Sequence, residues 1–318
     1  MNRAAAALLA LMLAPPAAAQ SWPDKPVRVV VPLATGGTTD ILARMLGQHL
    51  GETLRQSFIV DNRPGGGGNI GNEIVARARP DGYTLLMASP PLVINPSLER
   101  QIAYDPVRDY AAITLVASIP IVFAVHPAVA ARSVKELIAL ARSKPGALTY
   151  ASSGVGGSPH LAAALFTSMA NVDITHVPYK GSGPALTDLL GGQVHMQFSG
   201  LPPLLPHIRT GKLRALAVGG ATRTGTLPDV PTLAESGVPG YEATSWQGLA
   251  APARTPRAIV QQLNTLIVTY MRRADARARL AELGADPVGS SPDQFAAFLN
   301  AEFTKWASVI RKTGARVE

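Results

Sequence analysis

The sequence predicts an α/β protein with two lobes, a hinge and a cleft between the lobes, and three observations indicate this class. Strand-like and helix-like segments alternate along most of the chain, which is typical of α/β sheets. Gly-rich loops follow an apolar strand pattern and precede a helix pattern at residues 32–39 and again at 152–159. The chain has 318 residues, which exceeds one typical domain, so two lobes are expected.

The first lobe begins with the order strand, helix, strand, helix, strand. Apolar, β-branched runs predict the strands, and helical periodicity of the apolar positions predicts the helices. The predicted strands are residues 27–31, 57–60 and 84–88, and the predicted helices are 40–54 and 69–79. A long apolar stretch follows, and Pro120 and Pro127 interrupt it. We therefore expect two buried strands at 113–117 and 122–125 with a turn between them, rather than a membrane span.

The middle of the chain predicts a second α/β unit, and both sheets are expected to be largely parallel. Its strands are predicted at 148–151, 175–178, 194–198 and 213–218, and its helices at 133–144, 160–170, 184–190 and 202–210. A loop at 224–241 then precedes a strand at 244–251 and helices at 255–271, 274–283 and 292–312. The chain is expected to cross between the lobes near Ser118 and Gly219. This assigns 20–118 and 219–318 to lobe 1 and 119–218 to lobe 2.

The first 19 residues are predicted to be a secretory signal peptide. Arg3 precedes an apolar stretch at 4–13 that is too short to span a bilayer, and small residues end the segment at Ala19. The chain contains no cysteine, which excludes a lipoprotein anchor, disulfides and thiolate metal sites. These features together predict a soluble periplasmic protein.

The charge of the chain raises the question of a nucleic-acid partner. The formal net charge is +8, but the basic residues are scattered and aromatic residues make up only 5% of the sequence. A basic face without aromatic side chains offers little on which bases could stack. We interpret the charge as a solvated basic surface, and we expect no nucleic-acid partner.

The two Gly-rich loops are predicted to bind an anion. Each leaves backbone N–H groups beside a helix N-terminus, at the end of a strand where α/β sheets bind ligands. Neither loop contains Lys or Arg, so amides, hydroxyls and water would hold the anion. An ordinary tight turn explains either loop alone equally well, but two such loops favour one shared cleft. The candidate ligand-binding residues are Leu33, Ala34, Thr35, Gly36, Gly37, Thr38, Asp40, Ser89, Ser153, Gly154, Val155, Gly157, Ser158, His160, Tyr179 and Ser199.

Other motifs argue against catalysis. Residues 66–71 match the glycine pattern of dinucleotide-binding loops, but they follow the second strand and no ribose-binding acid follows, so we interpret them as a rim near the cleft. There is no P-loop and no nucleophile elbow, and the six histidines lack metal-ligand spacing. We expect no catalytic residue, no metal and no cofactor. His160 either donates to a ligand or is satisfied by backbone, and Lys180 is interpreted as solvated.

A series of ordered motifs resembles one known family. They are Trp22-Pro23-x-Lys25-Pro26, Pro32-x4-Gly-Gly-x2-Asp40, Asp61-Asn62-Arg63-Pro64-Gly65, Pro80-Asp81-Gly82-Tyr83-Thr84-Leu85, Ile94-Asn95-Pro96, Tyr150-Ala151-Ser152-Ser153-Gly154, His176-Val177-Pro178-Tyr179-Lys180-Gly181, Leu189-Leu190-Gly191-Gly192-Gln193 and Pro228-Asp229-Val230-Pro231-Thr232. From Trp22 onward the chain resembles the Bug family of periplasmic substrate-binding components of tripartite tricarboxylate transporters.

The resemblance implies a type II periplasmic binding protein fold that closes, like a Venus flytrap, on a small carboxylate. It also implies that the loops at 33–38 and 153–158 hold the carboxylate through amides and ordered water. The expected partners are this ligand and an inner-membrane permease or sensor, and a monomer is expected. A hydrolase-like or nucleotide-dependent α/β enzyme and a ligand-sensing signalling protein stay open as alternatives.

Two departures from the family pattern bear on the ligand. Ser199-Gly200 stands where many relatives have Asp-Asn, and Pro91-Leu92-Val93 replaces the Thr-His that often precedes residues 94–96. Loss of the acid removes a partner for a ligand ammonium group, and the added apolar residues favour a neutral or aromatic body. The expected ligand is a carboxylate without an amino group, either aromatic or a di- or tricarboxylic acid.

Overall fold

The computed structural model describes residues 22–98 and 102–313, so the predicted signal peptide lies outside the described residues. The strands are β1 (Val27–Val31), β2 (Phe58–Asn62), β3 (Thr84–Ala88), β4 (Tyr110–Val125), β5 (Thr149–Ser152), β6 (Thr175–Pro178), β7 (Met196–Gly200), β8 (Arg214–Val218), β9 (Thr244–Pro252) and β10 (Asp286–Pro287). The helices are α1 (Thr38–Leu54), α2 (Asn69–Ala76), α3 (Pro91–Leu98), α4 (Val134–Ser143), α5 (Ser158–Ala170), α6 (Ser182–Leu190), α7 (Leu201–Arg209), α8 (Arg257–Arg272), α9 (Ala274–Leu283) and α10 (Pro292–Thr313). Within these described ranges, none of the helices combines the length and the apolar character that a membrane crossing requires.

The strands form a mixed sheet in the order β2-β1-β3-β9-β4-β7-β5-β6, and β8 and β10 also pair with β4. β1 is parallel to β2 and β3, and β5 is parallel to β6 and β7. The expectation of largely parallel sheets is wrong at the centre, where β9 is antiparallel to β3 and β4 is antiparallel to all its partners. The chain passes between the lobes along neighbouring strands, which must therefore run in opposite directions.

One continuous strand, β4, runs through both lobes, so the prediction of two strands separated by a turn is wrong. Its first half pairs with β9, and its second half pairs with β7 and β8. Pro120 lies where these partners change and is opposite Thr244, the first residue of β9. A proline at this position costs only one hydrogen-bond donor, at the end of the ladder between β4 and β9. The strand can therefore continue through Pro120.

Four clusters of buried side chains cover both faces of the sheet in each lobe. Strand β1 shows why its sequence is uniformly apolar. Val29 and Val31 pack with α1 side chains such as Leu42, whereas Val30 packs with Leu86 on the opposite face. A strand that is buried on both faces needs apolar residues at consecutive positions. This explains why β1 was predicted with its correct bounds.

The segment 219–243 packs on the second lobe, although the sequence assigned it to the first. Leu233, Val238 and Tyr241 are buried in the cluster that contains Phe123. The N–H of Ala243 donates to the carbonyl of Gly219 at 2.7 Å, just before β9 begins. Because these three side chains complete the core of the second lobe, the packing favours a return crossing beside Thr244. The division of the chain into two lobes otherwise stays a prediction.

Helix α3 was not predicted, because prolines at 90, 91 and 96 break the helical pattern of its sequence. Helix α8 begins at Arg257 and not at Thr255, whose hydroxyl instead donates to the carbonyl of Pro252 at 2.7 Å. Helix α4 is capped by Ser133, whose Oγ accepts from the N–H of Glu136 at 3.2 Å.

Candidate ligand-binding cleft

Loops of the two lobes contact each other in this structure. The N–H of Ala34, in the β1–α1 loop, donates to the carbonyl of Lys180, in the β6–α6 loop, at 3.0 Å. A Cβ added to Gly183 would overlap the carbonyl oxygen of Thr35, and one added to Gly154 would lie 3.8 Å from Gly67 Cα. The lobes therefore contact one another closely, and the cleft between them is closed.

Four helices begin at the cleft, and each has a glycine at its N-cap without a side-chain hydrogen bond. These glycines are Gly37 of α1, Gly157 of α5, Gly181 of α6 and Gly200 of α7. No side chain caps these helices, so the positive ends of their dipoles and the first-turn N–H groups, which are missing only at the prolines at 159, 184, 202 and 203, face the cleft region. The cleft thus has a positive potential that does not come from basic side chains.

The closed cleft encloses a cavity of about 30 Å³, which holds about two water molecules. It is lined by Leu33, Gly37, Thr38, Thr39, Ser89, Pro90, Pro91, Ser153, Gly157, Ser158, Pro159, Ser182, Gly200, Ser245 and Gln247. No charged side chain is among these described residues.

Three polar side chains that line this cavity have a buried atom without a hydrogen-bond partner among the described residues. They are Thr38 Oγ1, Ser89 Oγ and Gln247 Oε1, and the residues are only 7%, 2% and 3% exposed. A buried polar group without a partner costs about 1–3 kcal/mol. Clustered around one cavity, these atoms indicate that the cleft is built to surround a polar molecule.

The carboxylate of Asp40 stabilises the β1–α1 loop. Its Oδ2 accepts from the N–H of Gly36 at 2.9 Å and from Arg44 Nε at 3.1 Å, and Arg44 also lies 2.9 Å from Oδ1. Gly36 has a φ of +83°, which favours glycine. The carboxylate, predicted as a ligand-binding group, is therefore engaged within the first lobe and supports the loop.

Two stacked histidines hold the second loop. His160 Nδ1 accepts from the N–H of Gly156 at 3.2 Å, and His176 Nε2 lies 2.7 Å from Ser152 Oγ. The two imidazole rings stack at 4.4 Å. Burial lowers the pKa of His160, and burial together with the charge of His160 lowers the pKa of His176 to about 4. Both rings are neutral at pH 7. Of the two roles expected for His160, the hydrogen bond with the backbone is the one that this structure contains.

A second cavity, of about 300 Å³, lies between the same loops. Its lining comprises Leu33, Gly65, Gly66, Gly67, Gly68, Ser153, Gly154, Val155, Pro178, Tyr179 and Lys180. The glycine loop expected near the cleft thus contributes a wall of this cavity. Tyr179 donates to Asp188 Oδ2 at 2.6 Å, and burial and that carboxylate raise the pKa of Tyr179 to about 12. Lys180 is exposed at the cavity, in agreement with a solvated side chain.

Most of the candidate residues line one of the two cavities. Those that do are Leu33, Gly37, Thr38, Ser89, Ser153, Gly154, Val155, Gly157, Ser158 and Tyr179. Six others do not line either cavity, namely Ala34, Thr35, Gly36, Asp40, His160 and Ser199. Ser199 is fully buried in β7, and its neighbour Gly200 lines the cleft instead.

The sequence missed cleft residues that only lobe closure brings together. Ser182 follows a third Gly-rich loop, a signal that could have been used, whereas Ser245 and Gln247 lie within β9 and carry no local signal. The expected apolar contribution of residues 91–93 is also wrong in part. Leu92, Val93 and Ile94 are buried in a core cluster, and among residues 90–94 the prolines at 90 and 91 line the cavity.

A two-lobed α/β fold with an uncharged polar cleft between the helix N-termini of both lobes defines a solute-binding protein that closes on its ligand. Residues 42–315 match the Tripartite tricarboxylate transporter family receptor family. The chain belongs to this family.

Similar proteins agree with this assignment. Protein BugT of Bordetella pertussis is 38% identical over 308 residues, covering 96% of this chain and 94% of the relative. The structure of R. palustris Rpa4515 with adipate has a TM-score of 0.89 and 40% identity, covering 92% of this chain and 98% of that chain. MatC from Rhodopseudomonas palustris with bound malate has a TM-score of 0.86 and 32% identity, covering 91% and 100%.

Proposed function

We propose that this protein captures a small carboxylate in the closed cleft and delivers it to a membrane transporter. The observation that carries this proposal is the convergence of four helix N-termini, without side-chain caps, on one cavity. Each such N-terminus stabilises an anion by about 0.3–1 kcal/mol, and by up to about 2 kcal/mol where it is partly buried. Several together hold a carboxylate without a cation, and such binding is reversible.

The lining also supports a ligand without an amino group. A ligand ammonium group needs a carboxylate or several acceptors, and the described lining of the cleft contains no acidic side chain. Asp40 is occupied by Arg44 and Gly36. The adipate and malate of the similar structures are likewise acids without an amino group.

We further propose that the protein acts in the periplasm, as a monomer, with an inner-membrane permease or sensor as partner and without enzymatic activity. The N-terminal sequence supports export, and the family description supports a transporter partner. Against catalysis, the hydroxyl of Ser158 donates to Ser245 at 2.9 Å, and the half-buried His160 and His176 hold a loop and are not among the residues that line the cavity. We propose lobe 1 as residues 20–118 and 244–318.

Isothermal titration calorimetry with acetate, butanoate, adipate, malate, citrate, nicotinate, aspartate and glutamate tests the proposal. At least one acid without an amino group should bind with a Kd in the micromolar range or below, and small-angle scattering should show compaction on binding. Tighter binding of aspartate or glutamate would contradict the assigned ligand class. Failure of every acid to bind, or turnover of any carboxylate ester, would contradict the function.

Two variants test the cleft residues directly. Thr38→Val and Ser89→Ala each remove a buried hydroxyl without a partner, and each is expected to weaken binding about five- to tenfold, since a hydrogen bond to a charged group contributes about 1.5–3 kcal/mol and its loss is partly compensated by water. Thr210→Val serves as the control, because its exposed hydroxyl donates to Pro206 on the far end of α7. Equal affinities for all four proteins would contradict the assigned cleft.

A further inference from the structure

A large apolar chamber lies behind the cleft, on the other side of the N-terminus of α5. Its volume is about 700 Å³, which is in the range of pockets that bind small organic molecules. Leu161 and Leu165 of α5 form one wall, and Trp246, Phe298 and Trp306 form the other. The chamber thus lies between a helix of the second lobe and aromatic side chains of the first lobe and the hinge.

The chamber and the cleft share a thin wall. Ser158 and Ser245 line both cavities, and the hydroxyl of Ser158 donates to that of Ser245 at 2.9 Å. The pairing of β9 with β3 ends at Gly248. Before Gly248, the edge of β9 on the β3 side is paired with no strand among the described residues and faces the start of α5. At this place a hydrogen bond between two small side chains separates a cavity of about 30 Å³ from one of about 700 Å³.

The charges at the chamber disfavour a second carboxylate. Glu242, Glu302 and Lys305 line it, and Lys305 Nζ is already paired with Glu302 Oε1 at 3.1 Å. Glu302 Oε2 also accepts from Trp306 Nε1 at 3.0 Å. Two carboxylates and one ammonium leave a net negative charge, which would repel an anionic end of a ligand.

We propose that the ligand is a carboxylic acid with an extended, uncharged apolar body. Its carboxylate binds the helix N-termini of the cleft, and its body displaces the Ser158–Ser245 hydrogen bond and extends between these two residues into the chamber. This inference rests on the proposed function and narrows its ligand class. The cavity of about 30 Å³ has no room for such a body, and the chamber offers aromatic and aliphatic walls to cover it. Aliphatic and arylalkanoic acids fit this description, whereas short or doubly charged acids leave the chamber unused.

Calorimetry with butanoate, hexanoate, octanoate and suberate tests the proposal. Each methylene buried in the chamber should tighten binding about fourfold, the factor that corresponds to about 0.8 kcal/mol per buried methylene. Octanoate should bind at least as tightly as suberate, which has a second carboxylate at the far end. If butanoate binds and octanoate binds no more tightly, or if suberate binds tenfold more tightly than octanoate, the inference is wrong and the proposed function stands. If none of these four acids binds but another acid without an amino group does, the inference alone is wrong; if no acid of either panel binds, both are wrong.

A pair of variants on α5 locates the body of the ligand. Ala164 lines the chamber, whereas Met169 is 41% exposed and does not. Ala164→Trp should lower the ratio of octanoate to butanoate affinity at least tenfold by filling the chamber, and Met169→Trp should leave this ratio unchanged. Equal ratios in the two variants would overturn the proposal.

Tryptophan fluorescence provides an independent readout. Of the three tryptophans in the chain, Trp246 and Trp306 line the chamber, and Trp22 packs against Tyr83, 6.2 Å away between ring centres. Bromine quenches tryptophan at contact, so 8-bromooctanoate should quench more strongly than 2-bromooctanoate at equal saturation. Trp306→Phe should reduce that difference. Equal quenching by the two acids would show that the body does not enter the chamber.

Discussion

Closure of the cleft requires that position 183 carries no side chain. Gly183 lies in the first turn of α6, and a Cβ there would overlap the Thr35 carbonyl oxygen of the opposite lobe and lie 3.2 Å from the Thr35 carbonyl carbon. All three nearest atoms belong to the first lobe. Gly183→Ala should therefore strain the closed state without straining either lobe, and alanine is the better helix former.

The magnitude follows from two contributions. An overpacked contact costs about 1–3 kcal/mol, and separating the loops breaks the Ala34–Lys180 hydrogen bond of 3.0 Å, which contributes about 1 kcal/mol. The closed state should thus lose about 2–4 kcal/mol. Since about 1.4 kcal/mol corresponds to tenfold in affinity, the Gly183→Ala protein should bind its acid about 30- to 700-fold more weakly.

Calorimetry measures this loss, with the tightest acid of the panel as ligand, and scattering follows compaction. The melting temperature of the ligand-free protein should not fall, which separates blocked closure from misfolding. Gly191→Ala is the matched control at the other end of the same helix, where a Cβ would meet only ordinary contacts, the nearest at 3.5 Å from the Thr187 carbonyl oxygen. Wild-type affinity and compaction in Gly183→Ala would refute the closed arrangement of the lobes.

The other predictions concern the two loops of the cleft. Asp40→Ala should weaken ligand binding about tenfold in calorimetry, because the Gly36 N–H and Arg44 lose their acceptor; Asp40→Asn keeps an acceptor and should lose less, and equal losses would contradict this role. The pKa of His176 is about 4 in the folded protein and 6.5 in the unfolded chain, so protons favour the unfolded chain between these values. The melting temperature should therefore fall as the pH is lowered from 6.5 to 4, and His176→Gln should flatten that fall; an unchanged slope would argue against the stacked pair.

The sequence predicted the elements whose pattern is local. Strand β1 has the predicted bounds because it is buried on both faces, and the loops at 32–39 and 152–159 were found because glycine and helix-start signals lie side by side. The helices that follow these loops begin two residues earlier than predicted, at Thr38 and Ser158.

What the sequence missed depends on contacts between distant segments. Nothing near Gln247 distinguishes it from an ordinary strand residue, and it reaches the cavity only because the lobes close over β9. Pro120 looked like a turn because its effect depends on which strands lie beside it. Leu92 looked like a ligand contact, but helix α3 turns it into the core. Local pattern predicts elements, and the faces they present follow from tertiary packing.

The position of β9 between β3 and β4 has a consequence for how the chain acquires its structure during synthesis. Strands β4 to β8 are contiguous in the chain and can pair as they emerge. In the first lobe β3 pairs with β1 on one side, but its other edge has no partner strand until residues 244–252 are made. Pairing over such a sequence distance is slow, and an open edge strand is prone to aggregate. The second lobe is thus able to fold first. The first lobe folds later and is the part that is prone to aggregate, and that a chaperone would have to protect, until β9 is made.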